Sequence, residues 1–178
     1  MNYQKIKNLN VNIQLNFLNK AKGEKMTIKF YGEKIEENKK SIVLCGPTPR
    51  NNNVISWRVE AIEILKNTKF DGIVYIPEGK KFNTYAEQVE WELQAYKNSN
   101  VIVFWVPRQF PDMMGLTTNV EFGYWLKSEK CIYGRPDTAE RIRYLDYMYE
   151  KEYGKKPINN LEELLLESVK LADIEVKK

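Results

Sequence analysis

Four short apolar segments at nearly constant spacing limit what this 178-residue chain can fold into. Their sequences are "SIVLCGP", "GIVYIPE", "VIVFWVP" and "KCIYGRP", and they end at Pro47, Pro77, Pro107 and Pro136. Each segment is rich in Val, Ile and aromatic residues without polar alternation, which is typical of strands buried on both faces of a parallel sheet. Proline ends each strand because it has no backbone N–H to donate to the next rung.

Helix-forming segments lie between these strands. "SWRVEAIEILKNT" and "TYAEQVEWELQAYKNS" repeat apolar residues at helical spacing, and a Thr84–Glu87 capping box begins the second helix. The predicted apolar stripes are Val59, Ile62 and Leu65 in the first helix and Val89, Leu93 and Tyr96 in the second. A third helix is expected from Thr117 or Thr118 to about Ser128. This order predicts right-handed crossovers and a single-domain α/β fold with a doubly wound parallel sheet.

The two ends of the chain flank this core, which we place at residues 41–136. Residues 1–40 form an N-terminal extension with edge strands, because "LNVNIQLNFL" alternates and "TIKFYGEKI" can pair with it. Residues 137–178 contain two helices, "TAERIRYLDYMYEKEYG" and "NLEELLLESVKLAD", the second opened by Asn159 or Asn160. They cap the sheet or form a contact between subunits.

The composition excludes several kinds of site. The chain has no histidine, which removes Ser-His-Asp and Cys-His nucleophile pairs and the usual zinc sites. Neither G-x-G-x-x-G nor G-x-x-x-x-G-K-[ST] occurs. We therefore predict no metal and no cofactor. Acid-base chemistry falls to other side chains, and the carboxylates are the best placed.

Charge, hydropathy and cysteine content give further expectations. The 28 basic and 24 acidic residues give a formal charge of +4 without a dense basic block, which gives little support for a nucleic-acid polymer as partner. No apolar run approaches the roughly 20 residues that span a bilayer, and no export signal is visible, so we expect no membrane partner and a cytoplasmic protein. Cys45 and Cys131 lie in strand segments and are expected to be buried, reduced thiols.

Candidate binding residues follow the strands, because ligands of open parallel sheets bind beyond the carboxyl ends of the strands. Arg50, Arg108 and Arg135 come from three of these loops, and converging guanidinium groups suit a phosphate or another planar anion. The alternative is that they neutralise nearby carboxylates or lie in solvent. Gly46 gives a tight exit from the first strand, and Trp57 is one of seven aromatic residues near the crevice, most of which should be core.

Glu121, in "GLTTNVEFGYW", has two interpretations. Thr118 and Glu121 have the spacing of a T-x-x-E capping box, and from spacing alone we favour the interpretation that Glu121 caps a helix. The same helix N-terminus would also keep a nucleophilic carboxylate ionised at the crevice. Both interpretations place Glu121 at the same point in the fold.

The sequence resembles the nucleoside 2-deoxyribosyltransferase-like family over about residues 41–136. The stretches that carry the resemblance are "IVLCGPTPR", "SWRVEAIEIL", "VYIPE", "QVEWE", "VIVFWVPR", "GLTTNVEFGYW" and "YGRP". The resemblance implies a flavodoxin-like sheet, a homo-oligomer, and cleavage of the N-glycosidic bond of a 2-deoxyribonucleoside or its 5′-monophosphate. It also implies that Glu121 is the nucleophile, with Gly123 completing an E-x-G motif. The family's second acid falls at Glu92, with Glu90 as the alternative.

We therefore predict an enzyme that forms a glycosyl ester on Glu121 and passes the sugar to a second base or to water. Glu92 would hold the sugar or, if protonated, assist the departing base. The predicted substrate contacts are Gly46, Pro47, Arg50, Trp57, Arg108, Thr118, Asn119 and Gly123. The alternatives are an N-glycoside hydrolase acting on a ribosylated or NAD-like compound and a nucleotide-binding sensor without turnover.

Overall fold

The computed structural model describes residues 26–51, 53–79 and 82–175. Within these ranges the chain forms a five-stranded, fully parallel sheet with strand order β1-β3-β2-β4-β5. The strands are β1 (Thr27–Phe30), β2 (Ser41–Cys45), β3 (Ile73–Ile76), β4 (Val101–Trp105) and β5 (Cys131–Gly134). The predicted doubly wound α/β fold is confirmed, and the last four strands each end one or two residues before the predicted proline.

Helices cover both faces of the sheet. They are α1 (Trp57–Lys66), α2 (Tyr85–Asn98), α3 (Leu116–Trp125), α4 (Arg143–Tyr153) and α5 (Leu161–Glu175). Helices α1 and α5 pack in one core layer, and α2, α3 and α4 pack in the other. In the part of the chain that the structure describes, no helix has both the length and the apolar character needed to cross a membrane.

Burial on both faces explains the continuous apolar runs in the sequence. In β2, Ile42 and Leu44 join the core layer with α1, whereas Val43 and Cys45 join the layer with α2. Successive side chains of a strand point to opposite faces, so a strand covered on both sides has no polar position. Cys45 and Cys131 are both free and buried, as the sequence predicted.

The predicted stripe of α1 is confirmed, but of the stripe predicted for α2 only Tyr96 is buried. The Thr84–Glu87 capping box of α2 forms as predicted. Leu93 is exposed, however, and the buried side chains of α2 are Trp91, Glu92, Ala95 and Tyr96. The buried face of α2 therefore differs from the predicted one and includes Glu92, which lines a cavity at the carboxyl ends of the strands.

The N-terminal strand adds an edge to the sheet. β1 pairs in parallel with β3, with Phe30 opposite Ile76, and Tyr31 N donates to Glu78 O at 3.3 Å just beyond the pair. "TIKFYGEKI" therefore contributes a short strand, and the pairing observed is with β3. The partner strand predicted within residues 9–18 lies outside the described residues.

The C-terminal helices cover the sheet on opposite faces. α5 begins after Asn160, whose Oδ1 accepts from Glu163 N at 2.9 Å. Leu164 and Leu165 are fully buried in the core layer with α1, and α5 packs against α1, β4 and β5. α4 packs in the opposite layer through Leu145. Of the two predicted roles, capping the sheet is the one seen in the structure.

Candidate active site

A cavity of about 820 Å³ lies beyond the carboxyl ends of β2 and β3 and the start of α3. From β2 the chain passes through α1 to β3 on one side of β2, and from β3 it passes through α2 to β4 on the other side, so β2 and β4 flank the topological switch point. Ligands of doubly wound sheets bind at this point. Of the predicted site residues, those that line the cavity are Gly46, Pro47, Arg50, Glu92, Thr118 and Glu121.

The floor of the cavity requires glycine at the end of β2. Gly46 has φ +151°, and a Cβ at this position would lie 2.0 Å from the carbonyl oxygen of Trp105 in β4. No side chain fits such a close approach of two strand ends. The next residue, Pro47, is held by its carbonyl, which accepts from Trp57 Nε1 at 3.1 Å. Trp57 therefore fixes the loop from behind and is not part of the cavity lining.

Arg58 organises the same loop from inside the protein. Its guanidinium donates to the carbonyls of Leu44 at 3.0 Å and Gly46 at 2.9 Å. It also pairs with Glu78 at 2.6 Å, and the two side chains are only 1% and 3% exposed. A buried ion pair with several further hydrogen bonds fixes one arrangement, because removing either partner leaves an uncompensated buried charge. The pair borders the cavity.

Sequence reasoning did not identify Arg58 or Glu78 as site residues. A signal was present, because Arg58 lies four residues before Ile62 and so falls on the buried stripe of α1. A charged residue on a buried stripe indicates a buried partner. Which partner it finds depends on β3 lying beside β2, which the spacing of residues does not show.

Helix α3 starts earlier than predicted, and this changes the interpretation of Glu121. Its N-cap is Gly115, with φ +60°, and the N-terminus has no side-chain cap. A Cβ on Gly115 would lie 2.6 Å from Pro47 Cγ, so a glycine is needed both for the conformation and for the packing against the β2 loop. Glu121 is then the sixth residue of the helix. The capping-box interpretation is wrong, because Thr118 is already inside the helix.

The environment of Glu121 opposes its ionisation. Burial and, second, the negative charge of Glu92 raise the pKa of Glu121 to about 7, although the Tyr96 hydroxyl and the Arg58 charge act in the opposite direction. The expectation that the helix N-terminus keeps Glu121 ionised is not met, because the helix dipole acts mainly within the first turn. A carboxyl group with a pKa near neutral changes its charge in the physiological pH range.

Glu92 is the second carboxylate of the cavity, and it is held by two donors. Tyr31 Oη donates to Glu92 Oε1, and Gln88 Nε2 donates to the same oxygen at 3.3 Å. Burial and the Glu92 charge raise the pKa of Tyr31 far above its usual value, so the phenol stays protonated and acts as a donor. Glu90, the alternative second acid, is exposed on the other side of α2. The structure therefore brings Glu92, and not Glu90, to the cavity.

The three predicted arginines do not converge. Arg50 lines the cavity and is exposed. Arg108 is buried outside it and donates to Gly115 O at 3.3 Å and to Asn119 Oδ1 at 2.5 Å, so both side chains secure the start of α3. Arg135 pairs with two aspartates of its own region, Asp137 and Asp146. Of the three, only Arg50 is placed to meet a phosphate.

Gly123 also lies away from the cavity. It is exposed on α3, and a Cβ built on it meets nothing within 4 Å. Its lack of a side chain therefore serves no contact within the described part of the chain. Among the predicted substrate contacts, those outside the cavity lining are Trp57, Arg108, Asn119 and Gly123.

Comparison with known proteins identifies the family of the chain. The family described as nucleoside 2-deoxyribosyltransferase like matches residues 39–138, which is more than half of the chain and close to the predicted core of residues 41–136. A search of curated proteins found no match. The matched region contains β2 to β5 and carries the three carboxylates that line the cavity among the described residues, Glu78, Glu92 and Glu121. The chain belongs to the nucleoside 2-deoxyribosyltransferase-like family.

Proposed function

We propose that the protein cleaves the N-glycosidic bond of 2-deoxyribonucleosides or their 5′-monophosphates, with Glu121 as the nucleophile. The observation that carries this proposal is the placement of Glu121 and Glu92 in one cavity at the topological switch point of the sheet. Membership of the family supports a glycosyltransferase acting on a small nucleoside substrate.

The chemistry needs neither histidine nor metal. The carboxylate oxygen of Glu121 forms a bond to C1′ while the C1′–N bond breaks and its electron pair leaves with the base, which takes up a proton from solvent. A second base or a water molecule then attacks C1′ and gives up a proton to solvent, while the bond between C1′ and Glu121 breaks and the carboxylate is released. Two inversions at C1′ give net retention of configuration. Whether the acceptor is a base or water distinguishes a transferase from a hydrolase.

Glu92 holds the sugar in this proposal. The described hydrogen bonds to Glu92 reach Oε1, and both of them come from donors. Both donors engage Oε1, and a carboxylate has a second acceptor oxygen for a ligand. Glu92 is therefore suited to accept a hydrogen bond from a sugar hydroxyl. Arg50, at the exposed edge of the cavity, is suited to pair with a 5′-phosphate.

The direct test is to detect both the released base and the covalent intermediate. Wild-type protein is incubated with a panel of deoxyribonucleosides and their 5′-monophosphates, with and without an acceptor base, and free base is measured by chromatography. We expect release of free base, because Glu121 and Glu92, the proposed nucleophile and the proposed acceptor of a sugar hydroxyl, line one cavity. In acid-quenched samples, mass spectrometry is expected to find one deoxyribosyl group on the peptide that contains Glu121.

Three outcomes of this experiment separate the alternatives. Release that depends on an acceptor base establishes transfer, and release without one establishes hydrolysis. Release from ribosylated or NAD-like compounds but not from deoxyribonucleosides would assign a different substrate. If a substrate raises the melting temperature but no base is released and no adduct forms, the protein is a binding protein and the catalytic proposal fails.

The pH dependence of activity gives a second prediction. Glu121 must be ionised to attack C1′, so base release is expected to rise with pH through about 7, the pKa of Glu121 in the folded protein. Glu92→Gln removes the negative charge that helps to raise the pKa of Glu121. The acid limb of the pH profile, where kcat/KM rises with pH, should therefore move to lower pH. Glu90→Gln, on the exposed side of the same helix, is the matched control and should leave the limb unchanged. An acid limb that stays in place in Glu92→Gln would show that the two carboxylates are not coupled.

A further inference from the structure

We propose that Tyr31, from the N-terminal edge strand, is a positioning residue that holds Glu92 in the orientation needed to bind the sugar. The inference rests on the proposed function and adds to it a residue outside the family core, because the family match begins at residue 39. The segment that precedes the core is then part of the active site.

A defined turn directs Tyr31 into the cavity. Immediately after β1, Glu33 N donates to Phe30 O at 3.1 Å, and Phe30 N donates to Glu33 Oε2 at 2.7 Å. The backbone N–H of Tyr31 is bonded to Glu78 O, which ties the turn to the end of β3. Both N–H groups at the end of the strand are therefore satisfied, and the direction of the Tyr31 side chain is fixed by the backbone.

Aromatic packing fixes the ring itself. The Tyr31 ring makes edge-to-face contacts with Phe82 at 5.2 Å and with Trp91 at 5.1 Å between ring centroids. Trp91 is in turn anchored by its Nε1, which donates to Glu33 O at 2.8 Å. The edge-to-face arrangement is one that aromatic pairs prefer. The phenol is thus held on two sides before any ligand enters.

The hydroxyl of Tyr31 forms a closed set of hydrogen bonds with two residues of α2. It donates to Glu92 Oε1, and Gln88 Nε2 lies 3.3 Å from both Tyr31 Oη and Glu92 Oε1. Gln88 and Glu92 are one helical turn apart, so the helix presents both to the same point. Because these two donors occupy one oxygen of Glu92, the carboxylate has a fixed direction, and its other oxygen remains for a substrate.

The charged and titratable groups around these hydrogen bonds determine how removal of the Tyr31 hydroxyl should change the pH dependence of activity. Glu121 faces them from α3, Arg58 from α1 and Tyr96 from α2. The phenol O–H of Tyr31 neutralises part of the negative charge at Glu92, and Tyr31→Phe removes it. Because the Glu92 charge raises the pKa of Glu121, loss of this neutralisation is expected to raise the pKa of Glu121 further.

The test is Tyr31→Phe in the full chain, assayed for base release from the best substrate of wild type. We expect kcat to fall 10- to 100-fold and the acid limb of kcat/KM to move to higher pH, opposite to the shift expected for Glu92→Gln. Gln88→Leu removes the second donor and should give a smaller shift in the same direction. Tyr144→Phe, on α4 and 75% exposed, is the matched control and should change neither quantity.

The outcomes separate this inference from the proposed function. If wild type releases base, Glu121→Gln does not, and Tyr31→Phe keeps the wild-type kcat and acid limb, only the role of Tyr31 is overturned. A lower melting temperature of Tyr31→Phe with an unchanged acid limb would show a merely structural residue and would also overturn it. If wild type releases no base, both the positioning role of Tyr31 and the catalytic proposal are overturned.

Discussion

Glu121→Gln is expected to lower the rate of base release by about 1000-fold or more, while substrate binding is retained. Glutamine has nearly the shape of glutamate but its neutral amide cannot form the ester with C1′. Loss of a nucleophile removes an interaction that exists only on the way to the transition state, so kcat falls and KM changes little. Release of base is measured by chromatography, and binding of intact substrate by calorimetry.

The control for this experiment is another glutamate that lies outside the cavity. Glu90→Gln changes a carboxylate on the exposed side of α2 and should release base at the wild-type rate. If Glu121→Gln keeps more than about a tenth of the wild-type rate, Glu121 is not the nucleophile. Among the described residues, the other carboxylates that line the cavity are Glu78 and Glu92, and the peptide that carries the adduct would then identify the one that attacks C1′.

The positions of the strands could be predicted because the sequence of each strand is sufficient to identify it. Segments such as residues 101–105 are buried on both faces, so each position is apolar whatever the neighbouring strand is. The same holds for the stripe of α1, where Ile62 and Leu65 pack into the core without depending on a particular partner. The local sequence pattern is sufficient to predict an element wherever burial alone determines which residue types occur in it.

The start of α3 was not predictable because it depends on a contact between distant segments. Thr118 and Glu121 match a capping box, and a sequence-based boundary falls at that pair. In the structure Gly115 packs against Pro47 in the β2 loop, and the helix begins there. A tertiary contact thus overrides a local signal, and Glu121 is left without a capping role.

The remaining partners of the site depend on strand order. Tyr31 reaches Glu92 because β1 lies beside β3, and Arg58 reaches Glu78 because β3 lies beside β2. Both pairs join residues far apart in the chain, and apolar spacing contains no information about which strands are neighbours. The candidate nucleophile could be identified from a sequence motif. The residues that position the side chains of the site could be identified only once the strand order was known.

The position of Glu121 also predicts a gain in stability when it is changed. In the folded protein the pKa of Glu121 is about 7, against 4.5 for an ordinary glutamate. Between these two pH values the folded state holds a proton that the unfolded state has lost, so this group makes the protein less stable as pH rises. At pH 8 the cost corresponds to about 3 kcal/mol, since one pKa unit is 1.36 kcal/mol.

Glu121→Gln removes this cost, because the amide stays neutral at every pH. We therefore expect the variant to be more stable than wild type by up to about 3 kcal/mol at pH 8, and by less than about 1 kcal/mol at pH 5. Urea unfolding at the two pH values measures the difference, with Glu90→Gln as the control that should show no such dependence on pH. A helix-capping carboxylate predicts the opposite sign, a loss of about 1 kcal/mol at pH 8. A variant that is inactive and more stable would identify Glu121 as a residue kept for chemistry at the expense of stability, whereas a less stable variant would show that the carboxylate carries no such cost in the folded protein.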